Sequence, residues 1–229
     1  MSGPIIAARQ LARRYGGRWA LAGMDLEVQA GQTLLVCGAN GSGKTTLTRV
    51  LGTALRPSSG SLSLFGAPAG DTSRARLSLL SHADGHYDDL TASENLRLAA
   101  SLCAGGNAAG RNADVLAILA QLGLAERADD LVRTFSAGMR KRLAFGRVLV
   151  KDADLILLDE PYAALDPDGA RLVDTLVRGW RARGKTILLS THQVERAAAL
   201  SDDAVVLDGG RVRWSGPAAM AHVAAGGAG

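Results

Sequence analysis

Three apolar stretches divide this chain: Leu34-Leu35-Val36-Cys37, Leu155-Ile156-Leu157-Leu158 and Ile187-Leu188-Leu189. Each is short, continuous and bounded by polar or glycine residues, the pattern of a strand buried on both faces. From Ile5 to about Leu80 the strand-like runs are split by the turns at Gly16-Gly17, Gly31 and Gly60, and one helix is read over Leu47 to Leu55. The periodicity becomes helical between about Asp84 and Val150. There Thr91-Ala92-Ser93-Glu94 is a capping box that opens a helix over Asn95 to Leu102. A loop from Gly105-Gly106-Asn107 to Asn112 precedes a second helix, Asp114 to Leu122. From Leu155 onward strand and helix alternate: Leu155 to Asp159, a helix from Pro167 to Gly184, Thr186 to Thr191, a short helix from Val194, then Ala204 to Leu207. Such alternation predicts an α/β fold with a parallel sheet flanked by helices. The alanine- and glycine-rich end, Ala218 to Gly229, reads as a frayed helix at best.

Between the first buried strand and its helix lies Gly38-Ala39-Asn40-Gly41-Ser42-Gly43-Lys44-Thr45-Thr46. Strand, glycine-rich turn and helix form the context in which this pattern cradles a polyphosphate. The glycines let successive N–H groups turn inward as an anion nest, and the helix start adds the positive end of its dipole. Lys44 would reach the β- and γ-phosphates, and the Thr45 hydroxyl would ligate Mg²⁺.

The second buried strand ends in Asp159-Glu160, at the edge where α/β folds bind ligands. Asp159 is read as a Mg²⁺ holder and Glu160 as general base for an attacking water, against the alternative that both acids face solvent. Asp166-Pro167 reads as an N-cap followed by proline at the first helical position. His192 follows the third strand; it is either a hydrogen-bonded loop residue or a γ-phosphate contact.

Composition alters this picture little. The chain has 229 residues, 47% hydrophobic and 21% charged, enough for one domain with a sizeable insertion. Aromatics are 4%, so any exposed one would stand out. Cys37 and Cys103 show neither metal-ligand spacing nor a disulfide framework, which fits a reducing cytosol. No apolar run approaches the ~20 residues that span a bilayer, and the first residues lack a signal-peptide pattern. The net charge of +4 is mild. Its positive residues are scattered apart from Arg140-Lys141-Arg142, read as a solvated helix face, so no specific nucleic-acid partner is expected.

Taken in order, these pieces resemble the nucleotide-binding subunit of an ATP-binding cassette (ABC) transporter, over nearly the whole chain from Tyr15 to about Trp214. Phe135-Ser136-Ala137-Gly138-Met139 stands where that family has its signature sequence, with Ala137 and Met139 replacing the common glycine and glutamine. Leu158-Asp159-Glu160-Pro161 and Ala163-Ala164-Leu165-Asp166 match the Mg²⁺/base strand and the dimer-contact loop, His192 the switch histidine, and Tyr15 the aromatic that stacks on adenine. Tyr15 reads equally as a strand-surface residue. His82 occupies the place of the family's glutamine, which senses Mg²⁺ and water; its other reading is a solvated loop histidine.

The resemblance implies a P-loop NTPase core at about residues 1–83 and 151–229, with an N-terminal antiparallel β subdomain and a helical subdomain inserted at about residues 84–150. It further implies ATP and Mg²⁺ as cofactors, ATP hydrolysis with Glu160, His192 and His82 as catalytic residues, and a two-fold, head-to-tail homodimer. The partners implied are integral membrane permease subunits, with the chain on the cytoplasmic face of the membrane. His82, the Ser-Ala-Gly signature and Glu160-Pro-Tyr-Ala-Ala-Leu-Asp166 resemble more narrowly the ATPase subunit of the cytochrome c maturation, or haem exporter, system. An exporter of drug, lipid or peptide and a soluble ABC ATPase are the alternatives.

Overall fold

The computed structural model describes residues 3–81, 85–103 and 114–226. The chain divides into two compact units. The first comprises Met1–Ser81, Asp154–Pro161 and Asp174–Gly229; the second comprises His82–Ala153 and Tyr162–Val173. The helical insertion, expected at 84–150, thus also takes in a second stretch that follows the strand carrying Asp159.

In the first unit, β1 (Ile6–Tyr15), β2 (Arg18–Val28), β4 (Ser59–Leu64) and β5 (Ala67–Pro68) form an antiparallel sheet in the order β2-β1-β4-β5. The other sheet has six strands: β3 (Thr33–Gly38), β6 (Leu77–Leu80), β7 (Leu155–Asp159), β8 (Thr186–Ser190), β9 (Asp203–Asp208) and β10 (Arg211–Pro217). Its order is β10-β9-β3-β8-β7-β6; every pairing is parallel except that of β10 with β9. β3, β7 and β8 are central strands, buried from end to end apart from Gly38, as their unbroken apolar runs predict.

Helix α1 (Lys44–Leu51) feeds Leu47, Val50 and Leu51 into one core with Leu11, Leu21 and Leu26 of the antiparallel sheet and Leu34, Leu157 and Leu188 of the parallel one. Each such side chain contributes about 1.5–3 kcal/mol on burial. The helix starts earlier and stops sooner than the Leu47–Leu55 predicted. It ends at Gly52; Thr53 then takes a left-handed φ of 56°, and the amides of Ala54 and Leu55 fold back on the Arg49 carbonyl. A six-residue helix, α2 (Asp71–Arg76), lies where only strands were expected.

The second unit is built on α3 (Ala92–Cys103), α4 (Val115–Gln121) and α5 (Ala137–Lys151) around Leu96, Leu119, Leu122, Leu143 and Phe145. The Thr91 capping box is formed in both directions: the Glu94 amide donates to Thr91 Oγ1 at 3.2 Å and the Thr91 amide to Glu94 Oε2 at 2.8 Å. α3 and α5 approach closely at Gly146, where a Cβ would lie 2.8 Å from a Leu96 methyl. Helix α6 (Pro167–Ala182) begins in this unit.

Back in the first unit, α7 (Val194–Ala198) follows β8. The chain end is better anchored than a frayed helix: a 3₁₀ turn at Ala218–Met220 leads into α8 (Ala221–Gly226), with Ala218 and Ala221 buried. Among the described residues no helix is long and apolar enough to cross a membrane.

Candidate functional site

β3 delivers the chain to the glycine loop at the C-terminal edge of the parallel sheet. Gly38 and Gly43 have φ values of 139° and 110°, and a Cβ at either would sit 2.2 Å from the Leu207 carbonyl oxygen or 2.5 Å from that of Ala20. Only glycine fits there, so the loop lies tight against the backbone of β9 and β2. Ser42 anchors the far side, its carbonyl accepting from the Gly210 amide at 3.0 Å, while its buried hydroxyl has no partner among the described residues. Ala39, Asn40 and Gly41 form the exposed crest of the loop.

Gly43 is the N-cap of α1, with no side-chain cap and no acidic residue in the first turn. The positive end of that helix, with Lys44, Thr45 and Thr46 in its first turn, therefore faces the loop uncompensated. Lys44 is buried and bends back, Nζ donating to the carbonyls of Gly38 at 2.8 Å and Ala39 at 3.1 Å.

Asp159 closes β7 with 0% exposure. Its Oδ1 accepts from the Ser190 hydroxyl at 2.7 Å and the Thr45 hydroxyl at 3.1 Å. Thr48 Oγ1 stands 3.3 Å behind Ser190 Oγ. Oδ2, equally buried, has no partner among the described residues. A buried carboxylate with an idle oxygen beside a threonine hydroxyl is a hard-oxygen donor set, and it fits a divalent cation such as Mg²⁺.

Glu160, next in the chain, holds a left-handed φ of 48°, a conformation that costs a non-glycine residue about 1–2 kcal/mol. Its amide is tied to the Ser190 carbonyl at 2.8 Å. Its Oε2 lies 2.9 Å from His192 Nδ1 and accepts from the Thr191 hydroxyl at 3.2 Å. The Glu160 side chain is 13% exposed and that of His192 63%, so the carboxylate is sheltered behind a histidine that faces solvent.

The first unit thus gathers Lys44, Thr45, Asp159, Glu160 and His192 on α1, β7 and the end of β8. It also carries Tyr15, half-exposed at the end of β1. The supporting hydroxyls of Thr48 on α1, Ser190 at the end of β8 and Thr191 just after it were missed in the sequence; the only signal was the polar Ser190-Thr191 pair that follows Ile187-Leu188-Leu189.

The second unit holds the rest. Ser136 is the N-cap of α5, its Oγ accepting from the Met139 amide at 3.2 Å, with Ala137, Gly138 and Met139 in the first turn and no acid there. A Cβ on Gly138 would approach the Ala164 carbonyl to 3.3 Å. Asp166 caps α6 as its sequence position predicts, accepting from the Gly169 amide at 2.7 Å, and the same oxygen accepts from Arg142 at 2.9 Å. These two contacts, the amide first, hold the Asp166 carboxyl below its ordinary pKa. The Arg140-Lys141-Arg142 run is therefore not a solvated face. Arg140 pairs with Asp88, Arg142 with Asp166, and Lys141 is only 6% exposed. His82 lies outside the described residues.

A family model described as "ABC transporter" matches residues 21–163. Among curated proteins, the chain is 37% identical over 210 residues to the Nod factor export ATP-binding protein I of Cupriavidus pinatubonensis, covering 90% of this chain and 64% of that protein. It is 37% identical over 219 residues to a fluoroquinolones export ATP-binding protein of Mycobacterium tuberculosis, covering 93% and 71%. It is 40% identical over 195 residues to the cytochrome c biogenesis ATP-binding export protein CcmA of C. pinatubonensis, covering 84% and 85%. The chain spans 64% and 66% of the length of the first two Nod factor relatives. Among solved structures, an ATP-binding subunit of an ABC transporter superposes with a TM-score of 0.83 at 25% identity, covering 98% of this chain and 95% of that one. A dimeric ATP-binding cassette in a post-hydrolysis state, bound to ADP and phosphate, gives 0.83 at 21% identity, covering 93% and 98%, and shares the fold.

Proposed function

As a member of the ABC transporter family, the chain carries that family's ATP-binding cassette, and we propose that it hydrolyses ATP as the nucleotide-binding subunit of a membrane transporter. The observation that carries this reading is Asp159, buried with one idle oxygen against the Thr45 hydroxyl of the phosphate-loop helix. Amides of the glycine loop and the first turn of α1 bind the triphosphate. Lys44 exchanges the Gly38 and Ala39 carbonyls for β- and γ-phosphate oxygens. Thr45 and Asp159 would hold Mg²⁺, which supplies charge neutralisation at the phosphates. Tyr15 stacks on the base.

Water attacks the γ-phosphorus, the bond to the β–γ bridging oxygen breaks, and ADP and phosphate leave. Glu160 takes the proton of that water, held for it by His192 and Thr191. The Ser136–Gly138 helix start has the dipole and hydroxyl to receive a γ-phosphate from a second copy, which implies a two-fold dimer with ATP between the copies. A permease on the cytoplasmic face of the membrane would be driven by its closing and opening.

For cargo, the reading is haem handling in cytochrome c maturation. It is supported by the 40% identity to CcmA across 85% of that protein's length, and by the signature and acidic-strand residues quoted above. Export of another compound is the second reading, favoured by the Nod factor and fluoroquinolone relatives. One variant addresses both levels. Glu160→Gln is expected to keep ATP affinity, lose about 10²–10⁴ in hydrolysis and accumulate closed dimers in Mg-ATP, read by light scattering with the membrane partner present. Undiminished hydrolysis would sink the ATPase reading. In a host lacking its own cytochrome c maturation ATPase, wild type but not Glu160→Gln should restore haem attachment; failure of both, with ATPase intact, points to other cargo.

A further inference from the structure

Tyr15 is 47% exposed at the end of β1, opposite Arg18 on β2. Two residues earlier on the same strand, Arg13 lays its guanidinium over the ring, with Cζ 4.8 Å from the centroid. The guanidinium is itself tethered, Nη1 donating to the Arg56 carbonyl at 3.1 Å. Its Nε is buried and has no hydrogen-bond partner among the described residues. A half-buried cation, fixed to a backbone carbonyl and facing an aromatic ring, is a geometry that orders the ring.

We propose that Arg13 is a positioning residue that braces Tyr15 as a platform for the purine base of ATP, an inference that rests on the base contact assigned to Tyr15 above. Two effects follow from the stack. The ring is already ordered when nucleotide arrives, so less side-chain freedom is lost on binding. The guanidinium also draws π density toward its own face, which leaves the opposite face a better surface for an electron-rich purine. The hairpin supplies its own control, because Arg14 lies over the half-exposed Trp19 at 5.7 Å with the same charge.

The experiment is calorimetric titration of the full chain with Mg-ATP and, separately, with inorganic tripolyphosphate, which has no base. Arg13→Met should weaken ATP binding about 2- to 5-fold and leave tripolyphosphate affinity as in wild type. Arg13→Lys should recover part of the loss, and Arg14→Met should change neither affinity. Equal weakening of both ligands by Arg13→Met would mean damage to the hairpin or a general charge effect, and would overturn the proposal. So would an Arg14→Met loss as large as that of Arg13→Met. Tyr15→Ala separates the two levels. If it binds ATP as wild type does, the base assignment falls and Arg13's role with it; if it loses ATP affinity while Arg13→Met does not, only the bracing falls.

Discussion

Leaving Oδ2 of Asp159 buried and unpaired costs about 1–3 kcal/mol. The left-handed Glu160 beside it adds strain of the kind that folded proteins keep where function needs it. Asn at 159 keeps an oxygen for the Thr45 and Ser190 hydroxyls and removes the buried charge. Asp159→Asn is therefore expected to melt higher than wild type without nucleotide, by about 2–4 °C per kcal/mol for a chain of this size. The extra thermal shift that Mg-ATP gives over ATP with EDTA should vanish. A variant that melts lower in the apo form and keeps the Mg²⁺ increment would contradict the cation role. The candidate site was legible at this scale because residue type and spacing carry it: the glycine loop, Lys44-Thr45 and Asp159-Glu160 are each contiguous. Ser190 and Thr48 were not, since a hydroxyl at a strand end or within a helix looks alike in sequence whether it meets water or a buried polar group.

Elements announced by local chemistry were read well. The Thr91 capping box and the Asp166-Pro167 start both open helices, the first at Ala92 directly after its cap rather than at the Asn95 expected, because a cap acts within four residues. α2 escaped notice because six residues give too little periodicity. The Arg140-Lys141-Arg142 run was misread because the partners of its arginines, Asp88 and Asp166, are distant in sequence. That pairing makes a pH prediction. The Asp166 carboxyl titrates below its ordinary value of 3.8, so its stabilisation is complete above that pH and is lost as pH falls through the lowered folded value. Asp166→Asn retains a capping acceptor and loses the charge. The melting temperature of wild type should exceed that of Asp166→Asn at pH 6, and the gap should close as the pH is taken below 3.8. A gap that is constant with pH would show that the carboxylate charge adds nothing at either contact, the Gly169 amide or Arg142.

The division of the whole molecule was legible only in part, because contact between segments distant in sequence leaves no local mark. An inserted helical region was visible in the change of periodicity, but not that Tyr162–Val173 returns to it. The eight residues Asp154–Pro161 are therefore bracketed by two excursions of the chain, and they contain β7 with Asp159 at its end and Glu160 just after it. That strand is gripped laterally by β6 and β8. A single proteolytic nick within His82–Ala153 would sever the peptide chain without releasing either fragment. The cut protein should elute as one particle on gel filtration, separate into two bands in detergent, and still crosslink through β7 to both neighbours. Two separately eluting pieces would show that the pairings across the cut, β6 with β7 and β3 with β8 and β9, are too weak to hold the acid-bearing fragment in place.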